Sequence, residues 1–299
     1  MSLQFAPWVL PVILSAVTLG IYDITKKHAV NANSVMPVLF FSTLSGCAAI
    51  AVISAFSQGL GVVCALSAKE LALVWLKSLL VAASWVCAYY AMRSLPISIA
   101  SPVRASAPFW TFLGGLLIYH EIPSPVQAAG MLLIFAGYFA FSVIGKLEGF
   151  SIRHKGMILI FAGTLLGAVS ALYDKYLLNV LNIPHTPLQF HFALDLCVIL
   201  GAAWATRHAV SKIRTPFVWK WSIFATGILL VTADFLYFYA LSMPDIKISI
   251  FSLIRRSGCI ISFTAGSLFF RDKHLKIKAA ALMLILLGVV LLTVKFKGA

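Results

Sequence analysis

Residues 29–68 contain no Asp, Glu, Lys or Arg, and neither do residues 122–145. A helix that packs onto a soluble core keeps a charged face toward water, so stretches this long without charge belong to helices whose solvent is lipid. The composition agrees, with 61% of positions hydrophobic and 11% charged, where a soluble domain carries about 25% charge. Transmembrane β-strands would alternate apolar and polar residues over segments of about ten, whereas these runs are continuous. The fold class expected is all-α and integral to the membrane.

Crossing a hydrocarbon core of about 30 Å takes roughly 20 helical residues. Apolar runs bounded by charge, Pro or Gly give ten candidate spans: 7–26, 34–56, 70–92, 97–119, 125–145, 156–177, 187–206, 218–241, 247–270 and 277–294. The first lacks a basic leader and a small-residue cleavage site and is taken as a permanent span.

Twenty-three Lys and Arg against nine acids give a net charge of +14. In a membrane chain this excess reports topology before any nucleic-acid partner, and none is expected. Loops after odd-numbered spans and their flanks hold 14 of the 23, including Lys26, Lys27, Arg93, Lys146, Arg153, Lys155, Arg207, Lys212, Arg214, Lys220, Arg271, Lys273, Lys276 and Lys278. The terminal side holds Lys69, Lys77, Lys175, Lys247, Lys295 and Lys297, and Arg104, Arg255 and Arg256 fall inside spans. The positive-inside rule therefore puts both termini outside a bacterial inner or plasma membrane. The five cysteines stand singly in apolar runs and read as core residues.

The chain repeats itself. Tyr22 and Asp23 in "LGIYDITKK" match Tyr173 and Asp174 in "SALYDKYLL", 151 positions on. The same offset relates Arg104 to Arg255, Ser106 to Ser257, Glu121 to Asp272 and Gly137 to Gly288. An odd number of spans per copy makes the second copy enter the membrane from the opposite face. The expected architecture is thus ten transmembrane helices in two inverted five-helix repeats, residues 1–148 and 149–299, a common construction of secondary transporters.

These features, with "YYAMRSLP" and "YFYALSMP" closing spans three and eight and the acidic loops "YHEIPSPVQAAG" and "FRDKHLKIKAAA", resemble two tandem EamA-type repeats of the drug/metabolite transporter superfamily. The family pattern in the first acidic loop is usually Gly-Glu-Arg; here it is Tyr119-His120-Glu121. The resemblance implies a transporter of a small metabolite or drug and leaves the cargo open.

An ionised side chain facing lipid costs about 2.5–3.5 kcal/mol at a helix centre, so charges within spans should face the interior or each other. Arg104, Arg255 and Arg256 are the basic candidates for a substrate site, since a guanidinium fork suits a carboxylate, phosphate or sulfonate; the competing reading is a structural pair with an Asp. Asp234, Trp85 and Tyr237 are candidate companions in the site, while Tyr89, Tyr90 and Tyr239 lie near span ends and read as an interfacial belt. Asp195 and His191 share a helix face four residues apart and offer a proton relay, against an ion pair of Asp195 with Arg255 or Arg256, which is favoured. Tyr22, Asp23, Tyr173 and Asp174 are gate candidates, with Lys26 and Lys175 as latch partners.

Nucleotide-binding loops, hydrolase motifs and Cys/His metal clusters are absent from the sequence, so no enzyme, no cofactor and no metal are expected. The function expected is secondary active transport, by export or exchange, of a small anionic or zwitterionic metabolite such as an amino acid or organic acid, with protons as a coupling ion. A lipid flippase, an enzyme acting on a lipid-linked substrate and a proton-coupled exporter of cationic drugs are the alternatives.

Overall fold

The computed structural model describes residues 7–57, 59, 61, 65–95, 100, 103–104, 106–147, 155–210, 216–244, 246–258, 260–261, 264 and 275–293. Asp272 and the loop cations Arg153, Lys212, Arg214, Arg271, Lys273, Lys295 and Lys297 lie outside them. Among the described residues every regular element is helical and no strand occurs. The helices are α1 (Val9–Val30), α2 (Val35–Ser57), α3 (Ala68–Ser94), α4 (Ala107–Tyr119), α5 (Pro125–Leu147), α6 (Lys155–Lys175, continued by a π turn over Tyr176–Val180), α7 (His185–Val210), α8 (Trp221–Leu241), α9 (Ile248–Arg256) and α10 (Leu275–Thr293).

Six of these, α1, α2, α3, α6, α7 and α8, are long and apolar enough to cross a membrane, and shorter apolar helices cover Ala107–Tyr119, Pro125–Gly137 and Met283–Leu292. Their outer faces are apolar: Leu132 is 69% exposed, Phe139 70% and Leu117 74%. Such a belt is unstable in water and matches a hydrocarbon surround.

Local chemistry sets the helix ends. Ser67 and Glu70 close a reciprocal capping box at the start of α3. His120 ends α4 at φ 52°, a left-handed conformation that glycine adopts freely and a side chain resists.

Packing runs mainly between the first and second halves of the chain. Helix α1 lies against α8 and α9, α2 against α7 and α8, α3 against α6 and α7, α4 against α6 and α9, and α5 against α10. Lipid tails are as apolar as leucine, so this association depends on close van der Waals contact and interhelical hydrogen bonds. Both are present. Ser84 donates to the Gly163 carbonyl at 2.7 Å and Ser15 to the Ala233 carbonyl at 2.7 Å, joining α3 to α6 and α1 to α8. A Cβ on Gly227 of α8 would lie 1.9 Å from the Ser42 carbonyl oxygen of α2, so those backbones touch as only glycine permits.

Gly227→Ala should therefore force α2 and α8 apart and cost about 1–3 kcal/mol, the usual penalty of overpacking. Thermal unfolding in detergent measures it, with Gly61→Ala as the control, since a Cβ there meets nothing within 4 Å. Equal stability of the Gly227→Ala and parent proteins would refute the contact.

Candidate functional site

Charged side chains from several helices meet around a cavity of about 120 Å³. Its walls include Tyr22 from α1, Lys77 and Trp85 from α3, Arg104 just before α4, Asp174 from α6, Asp234 and Tyr237 from α8, and Arg255 and Arg256 at the end of α9. Five helices and the segment before α4 thus supply these groups to a single space.

Three carboxylates organise it. Asp174 accepts hydrogen bonds from the Lys77 ammonium and, at 3.0 Å, from the Tyr237 hydroxyl. Both charges are nearly out of reach of solvent, Lys77 at 2% and Asp174 at 6% exposure. The Lys77 ammonium also lies 4.4 Å from the Phe192 ring centre and 5.0 Å from that of Phe238, a cation–π enclosure that replaces part of its lost hydration. Asp23 accepts from Lys26 at 2.5 Å and from Arg104 at 2.8 Å on the same oxygen. Asp234 pairs with Arg255, whose guanidinium sits 3.7 Å above the Tyr237 ring. The Nε of Arg255 is buried and has no hydrogen-bond partner. Arg256 faces α6, where a Cβ on Gly167 would be 3.9 Å from its Nη2.

The described charges at the cavity and its immediate rim are five cations, Lys26, Lys77, Arg104, Arg255 and Arg256, against three carboxylates, Asp23, Asp174 and Asp234, an excess of two positive charges. In a low-dielectric setting such an imbalance draws in an anion.

Polar ties close the bundle on both sides of this layer. On one side Glu121 accepts from Lys175 at 2.5 Å and from the Ile248 amide at 2.8 Å with one oxygen, and from the Ser249 amide and hydroxyl at 3.1 and 2.7 Å with the other. The carboxylate thereby caps the N-terminus of α9 and holds the end of α6. On the other side Lys27 donates to the Met92 and Leu95 carbonyls at 2.7 and 3.0 Å, and Asn33 exchanges two bonds with the Val218 backbone. These ties lie at opposite ends of α3. Tyr173, next to Lys175, reaches back to the Leu73 carbonyl near its start, and Lys27 binds its C-terminal carbonyls.

Several sequence expectations change. Arg104 and Arg255 both wall the cavity, and each makes the structural pair with an Asp that was the competing reading for it. Asp195 does not take Arg255, which is bound to Asp234; it accepts a 3.2 Å bond from Ser78 and lies off the cavity. His191, one turn away, packs edge-on against Phe190 and leaves a buried Nε2 without a partner. Tyr173 points to α3 and stacks on Tyr176. Asp174 and Lys175 are not latched in the same cluster, since Lys175 takes Glu121. Tyr89, assigned to an interfacial belt, is 1% exposed in the core. Lys77, counted with the terminal-side loops, is buried within α3, and Glu121 is a buried cap rather than a solvated loop acid. One signal for Lys77 was present: it is the only charge between Glu70 and Arg93.

The model of the EamA-like transporter family matches residues 6–143 of this chain. With the six long apolar helices, the match supports a multi-pass integral membrane protein similar to the transporters of that family. A crystal structure of a protein is similar over 96% of this chain and 95% of its own, with a TM-score of 0.69 and 18% sequence identity, which shows a shared fold. No curated protein matches this chain.

Among the described residues the Lys77–Asp174 pair is the most enclosed charge contact. Lys77→Ala should destabilise the protein by about 3–5 kcal/mol by stranding a buried carboxylate, and the double variant Lys77→Met/Asp174→Leu should restore most of that loss. Unfolding midpoints in detergent decide it: a double variant no better than the single would refute the pairing as the source of the cost.

Proposed function

We propose that the protein is a secondary active transporter that carries a small anionic or zwitterionic metabolite, such as an amino acid or organic acid, through this cavity by alternating access. The observation that carries the reading is the excess of two cations at the cavity, with the unpartnered Nε of Arg255 in its wall. A carboxylate entering there satisfies that donor and lowers the net charge, whereas a cationic drug meets the wrong sign of field. Trp85 and Tyr237 flank the cargo, and Asp234 is the counter-charge that a zwitterion's ammonium can share. Export or exchange, coupled to protons, completes the scheme.

The helix pairings support an architecture of ten spans in two inverted repeats, 1–148 and 149–299. Exchanging α1 with α6, α2 with α7, α3 with α8, α4 with α9 and α5 with α10 turns the α1–α8 contact into α6–α3, α2–α8 into α7–α3 and α4–α6 into α9–α1. The α2–α7, α4–α9 and α5–α10 contacts map onto themselves. Such a pseudo-two-fold arrangement puts the substrate at the repeat interface, where the cavity is. In this scheme the Glu121 and Lys27 ties act as gates that open in alternation, with Tyr22 and Asp23 beside one and Tyr173 and Asp174 beside the other.

Reconstituted in liposomes, the parent protein should move an anionic or zwitterionic solute, and Arg104→Ala and Arg255→Ala should each lower the flux at least tenfold, the worth of a charged hydrogen bond. Flux of every such solute left intact by both substitutions would refute the site. The termini are proposed to face outward in a bacterial inner or plasma membrane. A C-terminal epitope tag should then bind antibody on intact spheroplasts, and binding only after permeabilisation would reverse the topology.

A further inference from the structure

Away from the charged cavity, an apolar crevice of about 480 Å³ opens on the membrane-facing surface between α1, α2, α7 and α8. Its volume falls in the range, about 300–1,000 Å³, of sites that hold organic molecules. Leu14, Ile53 and Tyr239 line it and are 46%, 51% and 43% exposed, so it faces the hydrocarbon around the bundle.

One polar atom in the wall is unaccounted for. Ser54 is 0% exposed, and its hydroxyl has no hydrogen-bond partner. Hydroxyls inside helices ordinarily return their proton to the carbonyl one turn back, as Thr18, Thr43, Ser78 and Thr164 do here. Ser54 does not, and it lines the crevice. Its level is also informative. Ser54 lies three residues before the end of α2, Tyr239 two before the end of α8, and His185 opens α7, so the polar members sit within about one turn of helix ends. Leu14 and Phe235 lie five and six residues in from their helix ends, two to three residues deeper than Ser54. The His185 ring is held edge-on between Phe235 and Tyr239, with centroids 5.9 and 5.7 Å away. The crevice is therefore apolar along its length, with its polar side chains confined to the end near the membrane interface, the profile of an acyl chain attached through an ester.

We propose that this crevice binds one acyl chain of a membrane phospholipid, with the chain's ester carbonyl accepting the hydrogen bond of Ser54 Oγ. His185 and Tyr239 border the glycerol level, and Leu14 and Phe235 contact the chain. The site is separate from the charged cavity and independent of what that cavity transports.

Native mass spectrometry of protein released from vesicles of phosphatidylethanolamine and phosphatidylglycerol tests the proposal. One phospholipid should remain on the parent protein after collisional removal of detergent. Ser54→Ala should weaken its retention about fivefold, the worth of one neutral hydrogen bond. Leu14→Trp, which fills the crevice, should abolish it, and Leu132→Trp on the exposed face of α5 should leave it unchanged. Thermal unfolding of each variant separates loss of lipid from loss of fold, and Ser54→Ala alone decides the matter if Leu14→Trp does not fold. Retention unaffected by Ser54→Ala, no stoichiometric lipid on the parent, or a free fatty acid in place of phospholipid would each overturn the assignment.

Discussion

A charge cannot be left alone in hydrocarbon, and the interior of this bundle is arranged around that constraint. Lys26 and Lys77 are among its largest fully buried side chains, and each is met by a carboxylate and by aromatic faces. Removing either partner of such a pair leaves a penalty that lipid cannot relieve, so the carboxylates determine how the helices can pack as well as what the cavity can hold. The apolar outer faces, by contrast, gain nothing from association and tolerate many neighbours. The specificity of the fold is thus concentrated in its few polar contacts and in crossings such as that of Ser42 with Gly227.

The distribution of those charges departs from the repeat that generates them. Arg104 and Arg255 occupy equivalent positions, as do Asp23 and Asp174. Arg104 binds Asp23, yet Arg255 does not bind Asp174. The reason is local. Asp23 takes its lysine from its own helix one turn on, whereas Asp174 is followed by Leu177 at that spacing and draws Lys77 from α3 instead. With Asp174 occupied by Lys77 and Tyr237, Arg255 pairs with Asp234, which has Val86 as its counterpart in the first half when Pro96 is aligned with Pro244. Two lysines without counterparts, Lys26 and Lys77, and one such aspartate, Asp234, therefore make the two halves of the proposed repeat electrostatically unequal.

The membrane class and the positions of the six long apolar helices were legible because they depend on composition over windows of about 20 residues, which no single contact can overturn. Arg104, Arg255 and Asp234 were legible for the same energetic reason: a charge in an apolar run has few explanations. What failed was partner choice. Asp195 looked like a counter-ion for Arg255 because sequence gives only spacing along one helix, while the actual partner, Asp234, is set by how α8 and α9 meet. Lys77 carried a readable signal as a lone charge in an apolar run, but grouping it with the loop cations obscured it. Glu121 carried none, since a loop acid looks the same whether solvated or folded under the N-terminus of α9.

The asymmetry bears directly on how an inverted repeat could work as a transporter. Two identical halves would give inward- and outward-open states of equal energy, and the resting state would be set by chance contacts. Here one side is tied by Glu121, a carboxylate bonded to a lysine, two backbone amides and a hydroxyl, and the other by Lys27 and Asn33 acting on backbone groups. The Glu121 side is the stronger attachment, because its carboxylate accepts four charge-assisted bonds, one from a lysine, against the two that the Lys27 ammonium donates, the Asn33 bonds being neutral. In the proposed cycle the Glu121 side is then the harder to open, and binding energy from an anion at Arg255 is available to offset that difference, since Arg255 and the Glu121-capped amides are the two ends of the same short helix, α9.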